Sequence, residues 1–430
     1  MSANTVNEAA AIEADVLAIA RRAKEAARSL ANASRSTKDA VLHACADALV
    51  AAAAEIIAAN ELDMQRGRDN DMSTGLLDRL QLNCERVTAI ADALREVANL
   101  PDPVGEIVRG STLPNGMRLQ QKRVPMGVVG MIYEARPNVT VDASGLALKS
   151  GNAVILRGGS AALESNRVIV RVLQDALEAQ GLPRDLVQTV DEYGRAGGVV
   201  LMQARGLVDV LVPRGGAGLI RTVVEESKVP VIETGTGNVH VYVDESANLD
   251  DAHDIIINAK TQRVGVCNAV ETVLVHREVA ADLIPRLYDA LRQHDVTLHA
   301  DNAVRDFIPG GGAIAEATEA DWATEYLDSE LAMRMVDSVD EAIDHIRNYS
   351  SGHTESIITQ SLAASERFTA EVDSAVVMVN ASTRFTDGGM FGLGAELGIS
   401  TQKLHARGPM GLAELTTTKW VLHGDGNVRP

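Results

Sequence analysis

The chain has 430 residues, of which 46% are hydrophobic, 23% charged and only 3% aromatic. This length is too great for a single hydrophobic core and predicts two or three globular domains. A net charge of -19 disfavours nucleic acid as a partner, and no apolar run predicts a membrane span or a signal peptide. Cys45, Cys84 and Cys267 predict neither a disulfide framework nor a metal site. We therefore expect a cytoplasmic protein with no nucleic-acid partner, no membrane contact and no metal.

The first hundred residues have the pattern of helices. An alanine-rich run from Ser36 to Met64 predicts a helix that begins at a cap on Ser36 or Thr37. Cys45 lies in this run and Cys84 lies in a second helical run. Free cysteines are commonly buried, so we expect both thiols to pack in a core.

The period of the sequence then changes. A Pro-Asn-Gly turn between two extended stretches predicts a β-hairpin within 106–134. Beyond it, strands are predicted at MGVVGMIY, NAVILRG and LVDVLVP, and the segments after these strands have helical patterns. This alternation predicts a doubly wound parallel sheet that binds its ligands at the carboxyl ends of the strands.

A second α/β set includes the strand NAVETVLVH, and we place the domain change near Val243. The helix before this strand is expected to be capped near Asn248. A glycine-rich segment from Met390 to Leu415 predicts an ordered loop. The segment 416–426 predicts a terminal strand that pairs with the hairpin or with another subunit.

Two glycine-rich turns are candidates for binding a cofactor phosphate. VPRGGAGLIRTV follows a strand and opens a helix, where backbone N–H groups bind anions, but it lacks the full dinucleotide spacing. VILRGGSAALESN places an arginine at the end of a strand, before two glycines and a serine. The alternatives are a tight turn without a ligand and a solvated arginine. The candidate residues are Arg157, Gly158, Gly159, Ser160, Gly215, Gly216 and Gly218.

Cys267 lies between a helical pattern and a strand pattern, where an exposed sulfur can meet a ligand. A thiol acts as a nucleophile when a nearby cation, donor or base favours the thiolate. Glu233 in IETGTGN is the candidate base, and the alternative for it is a capping or salt-bridging carboxylate. The alternative for Cys267 is a small buried apolar residue.

Several long stretches together resemble the aldehyde dehydrogenase superfamily and, within it, the glutamate-5-semialdehyde dehydrogenase family. They include EARPNVT, VIETGTGNVHVYVD, NAKTQRVGVCNAVETVLVH and GLGAELGISTQKLHARGPMGL. The resemblance implies an α/β fold with a Rossmann-like cofactor domain, an α/β catalytic domain and a β oligomerisation arm. The expected domains are 1–243 for NADP binding, with the hairpin 106–126 in the arm, 244–404 for catalysis, and 405–430 for the end of the substrate loop and the oligomerisation strand.

The resemblance also implies a reaction and partners. Cys267 is expected to attack L-glutamyl 5-phosphate, and NADPH to reduce the resulting thioacyl enzyme to L-glutamate 5-semialdehyde, as a step of proline biosynthesis. The partners implied are the small-molecule substrate, further copies of the chain in a homo-oligomer, and the glutamate kinase of the pathway. The residues expected to bind substrate anions are Arg136, Arg263, Arg384, His405 and Arg407.

Individual roles follow from the same resemblance. Asn138 is expected to form an oxyanion hole with the backbone N–H of Cys267. Glu233 matches the general-base position of the superfamily, although a phosphate-dependent reaction activates no water. Glu325 falls where the superfamily contacts the nicotinamide ribose. Arg157 followed by Ser160 replaces a lysine and a glutamate found in many members, which favours NADP(H) over NAD because a carboxylate would repel the 2′-phosphate.

Two other readings stay open at this point. An acylating aldehyde dehydrogenase that uses coenzyme A shares the thioacyl chemistry and differs in its acceptor. An inactive homologue would keep the fold as a structural protein, although retention of Cys267 and Asn138 argues against it.

Overall fold

The computed structural model describes residues 3–308 and 314–429. The chain forms two compact units. The first contains Met1–Thr234, Gly392–Gly398 and Met410–Pro430, and the second contains Gly235–Phe391 and Ile399–Pro409.

The first unit opens with a set of helices. Its helices are α1 (Ala3–Leu30), α2 (Arg35–Ala51), α3 (Ala53–Asp69), α4 (Thr74–Leu80), α5 (Cys84–Asn99), α6 (Pro137–Lys149), α7 (Leu163–Ala179), α8 (Gly194–Gln203) and α9 (Ala217–Glu226). The predicted cap on Ser36 or Thr37 is wrong, because the Ser34 side chain accepts the Thr37 N–H and the helix begins one residue later. The run to Met64 also breaks at Ala52.

The two cysteines of this helical region differ in burial. Cys45 is fully buried in α2, as predicted, and burial raises the pKa of its thiol to about 12. Cys84 is exposed, so its predicted core position is wrong. It is the first residue of α5, directly after the Asn83 cap, and the buried face of that helix begins at Val87.

A three-stranded antiparallel sheet contains the predicted hairpin. Its strands are β1 (Ile107–Thr112), β2 (Arg118–Pro125) and β16 (Thr416–His423). β16 pairs with β2 along its whole length, from Thr416 opposite Pro125 to His423 opposite Arg118. Of the two partners predicted for the terminal strand, the hairpin is the one that the structure shows.

The predicted parallel sheet of the first unit has four strands in the order β5-β4-β3-β6. The strands are β3 (Val128–Tyr133), β4 (Ala153–Arg157), β5 (Val187–Thr189) and β6 (Val210–Arg214). The chain runs from β3 to β5 on one side and then returns to place β6 on the other side of β3. The switch point of this doubly wound sheet therefore lies between β3 and β6, where such folds bind ligands.

The second unit has a seven-stranded parallel sheet. Its order is β10-β9-β11-β8-β7-β12-β13, with β7 (Val239–Val243), β8 (Val270–His276), β9 (Thr297–Ala300), β10 (Ile314–Glu316), β11 (Glu330–Val336), β12 (Thr354–Ile358) and β13 (Val376–Val379). The helices are α10 (Leu249–Thr261), α11 (Arg277–Gln293), α12 (Asn302–Arg305), α13 (Val339–Tyr349) and α14 (Leu362–Glu371). Asn248 caps α10, as expected.

The unit boundary lies at Thr234 and Gly235, before the change expected near Val243. β7 belongs to the second sheet because it pairs with both β8 and β12. The glycine-rich segment is mostly loop, with one short antiparallel pair, β14 (Ile399–Ser400) and β15 (Gly408–Pro409).

Within 3–308 and 314–429, no group of His, Cys, Asp and Glu side chains has the arrangement of a metal site. No single helix of these ranges is long and apolar enough to cross a membrane. Within them, only α2 and α3 taken together, as a bent pair, have the length and composition of a membrane span.

Candidate active site

The glycine turn after β6 lies at the switch point of the first sheet. The Gly216 N–H donates to Oε2 of Glu134 at 3.0 Å, which ties this turn to the turn that follows β3. A Cβ on residue 215 would lie 2.8 Å from that carboxylate, so glycine permits the close approach. Gly218 is exposed in the first turn of α9. Backbone N–H groups at this helix start fit the phosphates of a dinucleotide.

The turn after β4 is held by hydrogen bonds to the segment between β5 and α8. Arg157 Nε donates to the Gly194 carbonyl at 3.3 Å. The Gly158 N–H donates to Asp191 Oδ1 at 2.6 Å. Gly159 is the cap residue of the short 3-10 helix that begins at Ser160.

Ser160 is exposed and has an arginine beside it that the sequence analysis missed. Arg66 Nη1 donates to the Ser160 carbonyl at 3.3 Å. The same guanidinium pairs with the buried Asp63 at 3.1 Å and with Glu164 at 3.7 Å. Two arginines of the first unit, Arg157 and Arg66, therefore place positive charge next to this turn.

Asn138 is exposed in the first turn of α6, where Pro137 is the first helical residue. Its Nδ2 donates to Asp142 Oδ2 at 3.2 Å, one helical turn further on. Burial raises the pKa of the Asp142 carboxyl to about 6, although the Asn138 hydrogen bond and the charge of Arg214 oppose this shift. Arg136 is the cap residue of the same helix.

Glu233 lies near the end of the first unit and is half-buried. The preceding segment runs alongside β6, because the Ile232 N–H donates to the Leu211 carbonyl at 2.9 Å and Val231 forms a parallel bridge to Leu211. Thr234 Oγ1 donates to the Pro213 carbonyl at 2.9 Å. Glu233 therefore has a backbone anchored to β6 on both sides.

Cys267 is half-buried in the loop between α10 and β8 of the second unit. The next residue, Asn268, anchors this loop, since its Nδ2 donates to the Thr386 carbonyl at 2.9 Å and its carbonyl accepts Thr383 Oγ1 at 2.7 Å. A Cβ on Gly237 would overlap the carbonyl oxygen of Cys267, so only glycine permits this contact. The cysteine loop precedes β8 and thus lies at the amino end of this strand, unlike the carboxyl-end sites of the first sheet.

Arg384 is a cation next to the cysteine loop, and its pKa responds to the charge of Cys267. Burial lowers the pKa of its guanidinium, the charge of Cys267 raises it, and Arg263 lowers it again. Its Nε donates to Gln262 Oε1 at 2.8 Å, which holds the guanidinium against the start of the cysteine loop. The second unit therefore brings the candidate nucleophile together with Arg384 and Arg263.

Glu325 lies behind the cysteine loop. Its Oε1 accepts the N–H of Gly237 at 2.6 Å, and burial raises the pKa of its carboxyl while this hydrogen bond opposes the shift. Lys260 and Glu271, one on each side of Cys267 in the sequence, form a fully buried ion pair in which Nζ lies 2.8 Å from Oε2. The sequence analysis missed this pair, although a glutamate inside the apolar strand VETVLVH was a usable signal.

His405 and Arg407 lie in the glycine-rich loop and are exposed. Arg407 pairs with Asp373, at 2.8 Å to the carboxylate and 2.6 Å to the backbone carbonyl, and Lys403 pairs with the same carboxylate. His405 adopts a positive φ of 69°. The contacts of Arg407 tie this loop to the segment before β13.

The family follows from comparison with known proteins. The model of the aldehyde dehydrogenase family matches residues 3–333. The chain therefore belongs to the aldehyde dehydrogenase family, and the predicted α/β fold of that family is confirmed.

Relatives narrow the comparison within this family. The γ-glutamyl phosphate reductase of Thermobifida fusca is 60% identical, over 97% of this chain and 99% of its own. That of Kineococcus radiotolerans is 61% identical, over 97% of each chain. The crystal structure of γ-glutamyl phosphate reductase from Thermotoga maritima has a TM-score of 0.93 and 45% identity, over 96% of this chain and 100% of its own. The predicted resemblance to this branch of the family is confirmed.

A more distant structure shows the fold alone. An acetylating aldehyde dehydrogenase from Geobacillus thermoglucosidasius has a TM-score of 0.72 and 22% identity, over 98% of this chain and 99% of its own. This enzyme thus shares the fold, but its sequence is far less similar to this chain than those of the γ-glutamyl phosphate reductases are.

Proposed function

We propose that this chain catalyses the NADPH-dependent reduction of L-glutamyl 5-phosphate to L-glutamate 5-semialdehyde and phosphate, in proline biosynthesis. The observation that carries the proposal is a half-buried Cys267 in a loop that also carries Arg263 and whose Gln262 accepts a hydrogen bond from Arg384. High identity to γ-glutamyl phosphate reductases over nearly the whole chain supports the same reaction. The coenzyme A reading rests on the shared fold alone.

In the first step, the Cys267 thiolate attacks the acyl carbon of the substrate. The C–S bond forms, the bond to the phosphate oxygen breaks, and phosphate leaves with the electron pair. Arg384 and Arg263 supply the positive charge that favours the thiolate and the departing phosphate. Of these two arginines, Arg384 has its guanidinium held in place by the hydrogen bond from its Nε to Gln262.

In the second step, bound NADPH supplies the hydride that reduces the thioacyl carbon. The oxygen of the resulting thiohemiacetal carries negative charge, which the Asn138 amide and the Cys267 N–H stabilise in this proposal. Asp142 orients the amide, because it accepts one of its two N–H groups. Collapse of the thiohemiacetal breaks the C–S bond, releases the semialdehyde and restores the thiolate.

NADP(H) is the proposed cofactor. The N–H groups around Gly215, Gly216 and Gly218 suit the diphosphate, and Glu325 suits the nicotinamide ribose. Arg157 at the end of β4 supplies positive charge for a 2′-phosphate, while the exposed Ser160 brings no carboxylate to repel it. Arg66, bound to the Ser160 carbonyl, adds a second positive charge at the same turn.

The remaining anion-binding residues belong to the substrate. Arg136, His405 and Arg407 are proposed to bind the glutamate part of the substrate, since acyl phosphate binding is assigned to Arg384 and Arg263. Of these, Arg407 already has an exposed partner in Asp373, which the substrate carboxylate would have to replace.

We also propose that the chain forms a homo-oligomer in the cytoplasm. The three-stranded sheet exposes large apolar side chains, which is typical of an interface. They are Ile107, Val108, Trp420 and Leu422. A complex with the glutamate kinase that forms the labile acyl phosphate is part of the same proposal.

The reverse reaction tests the proposed function. Purified protein with 1-pyrroline-5-carboxylate, phosphate and NADP should produce NADPH, and Cys267→Ser should abolish this activity. A rate independent of phosphate would refute the proposal. Turnover with coenzyme A in place of phosphate would favour the acylating alternative.

A further inference from the structure

Two buried charged residues stand at the two ends of the loop that carries Cys267. Lys260 lies in the last turn of α10 and Glu271 is the second residue of β8. Their side chains are fully buried, and Nζ donates to Oε2 at 2.8 Å. We propose that this ion pair is a positioning device that closes the base of the cysteine loop and holds Cys267 in its reactive place. The inference rests on the proposed function, because it concerns the nucleophile of that reaction.

The second carboxylate oxygen of Glu271 holds another segment. Oε1 accepts the N–H of Leu327 at 3.2 Å. Leu327 has a positive φ of 54°, a conformation that leucine rarely adopts and that the surrounding structure must hold. Glu271 therefore stabilises the turn that leads into β11.

This turn connects back to the cysteine. Glu325, two residues before Leu327, accepts the N–H of Gly237 at 2.6 Å. Gly237 in turn lies against the carbonyl of Cys267 so closely that a Cβ would overlap it. The contacts thus form a closed ring from Lys260 through Glu271, the turn and Gly237 to the cysteine loop itself.

Lys260 and Glu271 also oppose the effect of burial on each other's charge. Burial raises the pKa of Glu271 to about 7, the charge of Lys260 lowers it, and the charge of Glu325 raises it again. Burial lowers the pKa of Lys260, which Glu271 opposes. Removing either partner alone leaves an uncompensated buried group and destabilises the unit, whereas replacing both with apolar residues is often neutral.

The double replacement therefore separates stability from positioning. Lys260→Met with Glu271→Leu fills similar space but leaves the Leu327 N–H without its acceptor. Glu271→Gln keeps an oxygen for Leu327 and removes only the charge. The double variant therefore lacks the hydrogen bond from the Leu327 N–H to residue 271, whereas Glu271→Gln retains it.

The experiment uses the full-length enzyme and three measurements: thermal unfolding, steady-state kinetics of the reverse reaction, and alkylation by iodoacetamide resolved by peptide mass spectrometry. The exposed Cys84 is the internal reference for alkylation. We expect the double variant to unfold near the wild-type temperature but to lose about 100-fold in kcat, since a displacement of about 1 Å has that effect. KM should change little, and the rate of Cys267 alkylation relative to Cys84 should fall. Glu271→Gln should lose less kcat than the double variant, because it keeps an acceptor for Leu327, but should unfold at a lower temperature, because it leaves the buried Lys260 without its charged partner.

Glu355 supplies the matched control. It is an equally buried carboxylate in β12 that accepts the N–H of His240 at 2.8 Å. Glu355→Ala should lower the unfolding temperature but leave kcat of the folded enzyme and Cys267 alkylation within about twofold of wild type.

The proposal is overturned if the double variant has wild-type kcat and alkylation. It is also overturned if Glu355→Ala reduces kcat as much, because the loss would then follow from removing any buried carboxylate of this unit and not from opening the ring. If the wild-type enzyme shows no phosphate-dependent turnover, the proposed function fails, while the alkylation ratio still decides whether the ion pair positions Cys267.

Discussion

Asn138 donates a hydrogen bond from Nδ2 to Oδ2 of Asp142 at 3.2 Å, one turn further along α6. The carboxylate fixes which way the amide points, because only the nitrogen can donate. Burial raises the pKa of Asp142 to about 6, so the folded protein bears a cost for keeping this group charged at neutral pH.

Asp142→Asn should therefore stabilise the fold and slow the reaction. The raised pKa means that wild-type stability falls as pH increases from about 4 to about 6, so the advantage of the variant should grow through this window and then level at about 1–3 kcal/mol. The activity should fall because an asparagine at 142 can also donate and no longer fixes the Asn138 amide. Urea unfolding at several pH values, with kcat at pH 8, checks both. Equal kcat in the two proteins would contradict the orienting role.

Arg384→Gln should lower kcat/KM of the reverse reaction by about 100-fold and raise KM for phosphate, since it removes the charge that interacts with Cys267. Arg367→Gln is the control. Arg367 also lies in the second unit but pairs at the surface with Asp340 and Glu371. A phosphate KM that is unchanged in Arg384→Gln would show that the leaving phosphate is bound elsewhere.

Ser160→Glu should shift the cofactor preference from NADP towards NAD. A carboxylate at this exposed position beside β4 would repel the 2′-phosphate and compete for Arg157, with an expected loss of about tenfold or more in kcat/KM for NADP. Ser160→Gln has the same length without the charge and should retain the preference. The ratio of kcat/KM for the two cofactors is the measurement. A ratio unchanged by the glutamate would place the 2′-phosphate away from this turn.

Glu233→Gln should retain phosphate-dependent turnover within a few-fold of wild type. Phosphate, not water, exchanges with the thioacyl enzyme, so no general base has to activate water in this reaction. Cys267→Ser, measured beside it, gives the background rate. A loss of about 100-fold or more in Glu233→Gln would assign Glu233 a proton-transfer step that the proposal omits.

The sequence alone predicted those parts of the structure that local pattern determines. Strands buried on both faces appear as continuous apolar runs, so β3, β4, β6 and β8 were predictable from MGVVGMIY, NAVILRG, LVDVLVP and NAVETVLVH. The position of Cys267 between a helix and a strand was visible for the same reason. Asn138 and Asp142 are four residues apart, and their contact follows from helical spacing once α6 is recognised.

Other features depend on which residues of a helix face the core or on which strands become neighbours. Cys84 was misplaced because the buried face of α5 begins three residues later, at Val87. The predicted first domain, 1–243, includes β7, but the pairing of β7 with β8 and β12 places this strand in the second sheet. Local composition carries no information on this pairing.

The sequence by itself determined the fold class and the family and singled out Cys267 as the candidate nucleophile, because these rest on periodicity and on contiguous motifs. Only the tertiary structure decided that Lys260 pairs with Glu271, that Gly237 lies against Cys267, and that Arg384 is held next to the cysteine loop by Gln262. Arg384 is more than a hundred positions from Cys267 along the chain. Such residues meet only after the sheet has assembled, and burial then sets the strength of their charges and hydrogen bonds.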